Sequence, residues 1–215
     1  MKKVLLGLLF LATMSMSAQE TEFESPYSKG NFSIGGGFAI YNSENTNVNF
    51  TNTESKNYSI NPSVGFFIKD NLMIGINTRY TKTQNVNEIN GTENSMETDS
   101  YALGIIADKY YKIYKSFFLN FSGSIMYGTT NVTRANNTNT NNTDDEYFVV
   151  GVSPELSYVL NKHMSLKVGF NDLLSYRYSK NEDPGGREQS SSNLYTSLGS
   201  SSLLSDLSIG FRYFF

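Results

Sequence analysis

Cysteine and tryptophan are missing from this 215-residue chain, histidine occurs once, proline four times, and only 17% of residues are charged. Each shortage excludes something. Without cysteine there is no disulfide framework, no thiolate metal site and no cysteine nucleophile. A net charge of -3 offers no basic surface to hold nucleic acid. No apolar run approaches the ~20 residues that a membrane helix needs. The charged fraction is also low against the ~25% of an average soluble domain, so part of the surface is not built for water. Stability must come from packing and from a backbone hydrogen-bond ladder.

What the chain has in quantity is 15 Tyr, 15 Phe and 17 Gly. Its start reads as an export signal: Met1-Lys2-Lys3 is a basic head, Val4 to Ala12 a short apolar run, and Ser15 to Ala18 small residues for cleavage. Residues 1–18 are expected to be removed and residues 19–215 to form one domain outside the cytoplasm.

The mature sequence alternates between two textures. In one, apolar residues recur at every second position, the period of a strand with two unlike faces. Even numbers carry it in Phe32, Ile34, Phe38, Ile40, then in Tyr58, Ile60, Val64, Phe66, Ile68, and again in Leu72, Ile74, Ile76, Tyr80. Odd numbers carry it in Tyr101, Leu103, Ile105 and in Phe117, Leu119, Phe121, Ile125, Tyr127. Even numbers return in Phe148, Val150, Val152, Leu156, Tyr158, Leu160 and in Met164, Leu166, Val168, Phe170, and odd numbers close the chain with Leu207, Ile209, Phe211, Tyr213, Phe215. That makes eight strands and no helix.

The second texture is polar connection. Short turns at 69–71, 112–116 and 161–163 take turns with long Asn/Thr/Ser-rich loops at 42–57, 83–99, 131–145 and 179–202, of which the low-complexity tract at 131–145 reads as mobile. Strict alternation puts all short turns at one end and all long loops at the other, the up-and-down arrangement of membrane barrels. The residues opposite the apolar face are small and neutral: Ser59, Asn61, Ser63, Gly75, Asn77, Asn120, Ser122, Ser124, Gly151, Ser153, Ser208, Gly210. A water-facing exterior would be rich in Lys and Glu, whereas the narrow lumen of an eight-stranded barrel suits small polar groups. The apolar face is therefore expected to touch lipid. Tyr58, Tyr80, Tyr101, Tyr127, Phe148 and Tyr176 would form one aromatic girdle and Tyr111, Phe117, Tyr213 and Phe215 the other. Asp172 departs from this, because its parity faces lipid; a bulge near Asn171 would turn it away.

With those residues in place the chain resembles the small eight-stranded outer-membrane barrels of the OmpA/OmpX type. The resemblance implies an all-β, eight-stranded antiparallel up-and-down transmembrane barrel in the outer membrane of a Gram-negative-type bacterium, exported through the periplasm. It implies contact with outer-membrane lipid and lipopolysaccharide, and it makes Leu207, Ile209, Phe211, Tyr213 and Phe215 resemble the signal read by the barrel-assembly machinery. An ordinary last strand in a girdle would use the same side chains. No peptidoglycan-binding domain is expected after Phe215.

Charges of inward parity are Arg79, Asp108, Glu155, Lys167 and Arg212. Unpaired charge is costly away from water, so these predict a paired network that either plugs the lumen or gates a narrow path. Lys167 falls diagonal to Glu155. Enzymes on similar scaffolds place a catalytic His at the outer rim, but His163 sits in a turn at the other end, and no catalytic set is expected. Asp144-Asp145-Glu146 and Glu182-Asp183 are read as solvated acids, Gly35 to Gly37 lacks a phosphate-loop context, and no cofactor or metal is expected. The function expected is a structural or surface-interaction barrel whose four loops contact an extracellular ligand, with a channel for small or hydrophobic solutes as the alternative and a lipid-modifying enzyme last.

Overall fold

The computed structural model describes residues 25–47, 51–89, 92–136, 140–170, 173–182, 188–196 and 207–215. The expected signal at 1–18, Asp172 and Asp183 lie outside them. Ten strands appear: β1 (Phe32–Asn47), β2 (Thr51–Lys69), β3 (Leu72–Ile89), β4 (Thr92–Tyr114), β5 (Phe117–Asn136), β6 (Thr140–Asn161), β7 (Met164–Phe170), β8 (Leu174–Glu182), β9 (Glu188–Thr196) and β10 (Leu207–Phe214). Neighbours in sequence pair antiparallel from β1 to β7, β10 pairs β7, and β1 pairs β10, which closes a ring of eight staves.

Ten strands rather than eight is a correction to the sequence reading. β7 ends at Phe170, and β8 takes over the pairing with β6 from Asp145↔Asn181 to Val152↔Leu174, extending the seventh stave. β9 then pairs β8. The register of β6 differs by two residues between its pairing with β7 (Glu155↔Gly169) and with β8 (Val152↔Leu174), so the alternation resumes on the same faces. Closure is uneven: β10 pairs β1 only from Ser33 to Phe38, and the upper half of β1 pairs only β2 among the described strands.

The polar stretches read as loops are corrected as well. β4 alone has 23 residues, about twice the 9–11 that a tilted strand needs to cross a bilayer, and the ladders run unbroken through Asn131–Asn136 and Thr140–Asp145. Alternation is invisible there because both faces of the extension meet water. A hairpin whose register is already fixed lower down can extend its ladder without apolar side chains. The extensions form a polar collar beyond the girdle.

Alternation in the membrane zone shows in exposure. Leu103 and Ile105 are 59% and 66% exposed while Ile106 beside them is 5%, and Phe211 is 54% exposed against 3% for Arg212. Rings meet along both girdles, Tyr80 on Tyr101 at 4.9 Å at one end and Phe117 on Tyr158 at 4.7 Å at the other. Each short hairpin closes with two residues and a bulge just before them, at Phe67/Lys69, Lys112/Tyr114 and Val159/Asn161, which preserves parity across an odd count. Asn71 (φ 60) and Lys115 (φ 43) supply the left-handed residue that two of these turns require.

One outward rung of the collar is charged. Lys82 pairs with Glu97 and lies 3.7 Å from Asp99, Gln84 Nε2 donates to Glu97 at 3.0 Å, and the Tyr80 hydroxyl donates to Asp99 at 2.7 Å. The bond from Lys82 holds Glu97 below the usual carboxylate range, and the bond to Glu97 raises Lys82. A depressed carboxylate contributes stability above its unfolded pKa of 4.5 and loses it as pH falls through the lower folded value. Amide protection factors along the β3–β4 extension are therefore expected to be flat near neutrality and to fall below pH ~4.5, and Glu97→Gln is expected to remove that step. An identical step in Glu97→Gln would assign it to other acids.

Candidate functional site in the lumen

Inward parity sends a defined set of side chains to the axis, and they separate into three layers. The lowest is aromatic. Residues leading into β1 turn back under the barrel: the Asn71 amide donates to the Tyr27 carbonyl at 2.7 Å and the Lys29 amide to Asp70 Oδ1 at 2.8 Å. This places Tyr27, 1% exposed, in the mouth, stacked on Tyr110 at 4.0 Å and edge-on to Phe118 at 4.7 Å and Phe214 at 5.4 Å. Phe67, Met73, Ile106 and Val159 complete this floor.

The middle layer is ionic. Arg212 of β10 and Asp108 of β4 stand on opposite staves and meet across the axis, Nη2 to Oδ2 3.1 Å, with both side chains buried. Tyr110 donates to the same carboxylate oxygen at 3.3 Å, and Arg212 also reaches Met73 and Ser63. Lys167 pairs with Glu155, which accepts from Asn120 Nδ2 at 2.6 Å. These groups border a cavity of about 60 Å³ lined by every stave, among them Gly37, Asn61, Asn77, Ser122 and Gly210. Such a volume holds a few waters and no organic ligand.

The upper layer is a second apolar cluster of Ala102, Met126, Tyr147 and Val149, with the Arg177 guanidinium 3.8 Å above the Tyr147 ring and its Nη2 donating to Thr130 at 3.4 Å. Glycine makes room for these side chains: a Cβ on Gly128 would lie 2.7 Å from the Tyr147 ring, and one on Gly169 2.7 Å from Glu155 Cγ.

Of the five inward charges read from the sequence, Asp108, Arg212, Glu155 and Lys167 are brought together. Arg79 stands half-buried on β3 two residues above Asn77, outside the cavity lining. Leu207, Ile209, Phe211, Tyr213 and Phe215 lie along the outer face of the closing stave, the last four exposed, with the Phe215 amide bonded to the Phe32 carbonyl at 2.9 Å. His163 stays at the short-turn end, where Nδ1 bonds the Phe214 carbonyl at 3.0 Å and the ring stacks on Tyr213. Asp144 and Glu146 share the outward face of β6 while Asp145 takes the inward one, so the three cannot converge. Among the described residues no three acidic or histidine side chains gather as metal ligands would.

The floor was missed by the sequence reading. Its signal was present as aromatic doublets at the short-turn ends: Phe66-Phe67, Tyr110-Tyr111, Phe117-Phe118 and Phe214-Phe215. A period-two reading follows one member of each to the lipid, and the other must point inward.

A closed antiparallel ring with an apolar outer face and its charges paired inside defines an outer-membrane β-barrel, since lipid leaves no partner for open backbone edges. The sequence agrees: residues 6–198 match the family described as outer membrane protein beta-barrel domain, and the chain belongs to that family. No curated protein matches it in sequence. Among solved structures it is similar to Neisserial surface protein A (15% identity, 87% of this chain and 98% of that one, TM-score 0.46) and to a major outer membrane protein from Thermus thermophilus (12%, 86% and 99%, 0.46). The N-terminal β-barrel domain of Pseudomonas aeruginosa OprF is similar too (10%, 87% and 98%, 0.40). The protein is thus an outer-membrane barrel that crosses its membrane with strands.

Proposed function

We propose that this barrel acts as a sealed membrane anchor for its collar, with a structural or surface-contacting role rather than a transport role. The observation that carries the reading is the three-layer filling of the lumen, above all the floor centred on Tyr27. A conducting path would have to cross that floor, the Asp108–Arg212 bridge and the Tyr147 cluster in turn. The four extended hairpins, on the outside by the rule of short periplasmic turns, offer the surface that contacts an extracellular partner. Supporting contacts with lipid and lipopolysaccharide come from the exposed apolar face, and we also assign Leu207, Ile209, Phe211, Tyr213 and Phe215 as the ridge presented to the barrel-assembly machinery. No catalytic role is proposed: His163 is remote from the collar, and Asp145 faces away from Asp144 and Glu146.

Planar-bilayer recording tests the reading. The wild-type barrel in concentrated KCl is expected to show no discrete conductance steps, and Glu155→Ala to leave the trace silent. Reproducible steps in the wild type, enlarged by Glu155→Ala, would instead establish a path gated by the Glu155–Lys167 pair.

A further inference from the structure

We propose that the inner face of the collar is a binding cup for acidic sugars, centred on Arg134. This rests on the sealed, surface-contacting reading above and names the ligand class. The cup lies on β3 to β6, where a cavity of about 300 Å³ is lined by the inward-parity residues Asn87, Asn94, Met96, Arg134 and Asn141 together with the outward-parity pair Ser95 and Ala135. That is the lower end of the range for small-molecule sites, suited to one sugar ring or the end of a chain.

Register builds this surface. Asn85 faces Met96, Met96 faces Arg134 and Arg134 faces Asn141, so one row crosses four staves, and Asn87 opposite Asn94 begins the next. Alternation holds in the collar on both sides. Inward residues bond one another, Asn57 to Thr83 at 3.2 Å and Ser100 to Thr130 at 2.9 Å, while the Lys82–Glu97 and Tyr80–Asp99 contacts lie outward.

Charge is sorted by that alternation. On β2 to β4 the carboxylates of Glu54, Glu88, Glu93, Glu97 and Asp99 all take the outward parity. The inward face of β2 to β6 above the girdle carries only Arg134 and Asp145 among the described residues, and Asp145 lies four residues, roughly 13 Å, nearer the membrane. Lys56 and Lys82 share the outward face with those five carboxylates and leave it net acidic, while the inside is neutral overall with its cation at the cup, an arrangement that draws an anion to the cup and not to the rim.

The side chains specify more than an anion. Arg134 makes no hydrogen bond or ion pair with another described residue, and its planar fork can form two parallel bonds to a carboxylate or phosphate. The surrounding Asn amides carry donor and acceptor on one group, which matches vicinal hydroxyls, and Met96 gives an apolar surface for ring C–H bonds.

Calorimetric titration of the full chain in phospholipid nanodiscs, with glucuronic acid, glucose 6-phosphate and glucose as probes, tests this. Binding of one or both acids at millimolar concentration is expected, with none of glucose; which acid binds distinguishes a carboxylate from a phosphate source. Arg134→Ala is expected to weaken that binding by about tenfold or more. Arg134→Lys should recover part of it, because the charge remains but the fork is lost. Equal binding of glucose, undiminished binding by Arg134→Ala, or binding of neither acid would overturn the proposal. Because Arg134 is exposed, its removal leaves the fold intact. A barrel that is electrically silent yet binds neither acid loses only this cup, whereas discrete conductance would remove the reading beneath it.

Discussion

Asp108→Ala is expected to destabilise the barrel by about 3–5 kcal/mol, because it strands the Arg212 guanidinium in a site where only 3% of that residue is exposed. The remaining hydrogen-bond partners of Arg212, Ser63 and Met73, carry no charge, the Glu155 carboxylate across the cavity is already paired with Lys167, and the Tyr110 hydroxyl loses its acceptor at the same time. Urea unfolding in phospholipid vesicles, followed by tyrosine fluorescence, measures the loss. The double replacement Asp108→Leu with Arg212→Met should recover most of it, since apolar groups of similar volume need no counterion. A single-variant loss below about 1 kcal/mol would show that water in the neighbouring cavity solvates Arg212 well enough to replace the carboxylate.

Tyr27→Ala should cost a similar amount, about 3–5 kcal/mol, for a different reason. The ring is packed by Phe67, Tyr110, Phe118 and Phe214, and truncation leaves a void between β-strands that cannot collapse toward one another. Tyr27→Phe keeps the ring and should lie within about 1 kcal/mol of wild type. The two variants separate packing from the hydroxyl, and the same urea titration reads both. If Tyr27→Ala unfolds with wild-type midpoint and slope, the segment before β1 is not seated in the barrel, and the floor loses its centre.

These two sites differ in how far the sequence announced them. Asp108 and Arg212 could be placed on the inward face from parity alone, and Lys167 diagonal to Glu155 from hairpin register. That Asp108 meets Arg212 rather than another inward charge depends on the level each stave reaches at the axis, which is set by strand tilt and stagger. Parity fixes a face and not a height. Arg79 shows the consequence: it shares the inward face of β3 but lies outside the cavity lining.

Tyr27 was not legible at all. It precedes the first alternating segment, it has no periodic company, and its partners come from four staves far apart in the chain. The collar failed to register for the opposite reason. Its Asn, Ser and Thr residues carry no apolar alternation, so composition suggested loops, while the backbone ladder continued because the hairpins below had already set its register.

By itself, then, the sequence determined that the chain is a barrel, which side chains face lipid and which face inward, and where the girdles lie. Those properties are local, repeating every second residue along each strand. The tertiary structure alone decided that the lumen is floored by Tyr27, that Asp108 bridges to Arg212, and that the polar hairpins stand as a collar with Arg134 inside it. Each of these joins residues whose relative height and azimuth exist only once eight tilted staves have closed on one another.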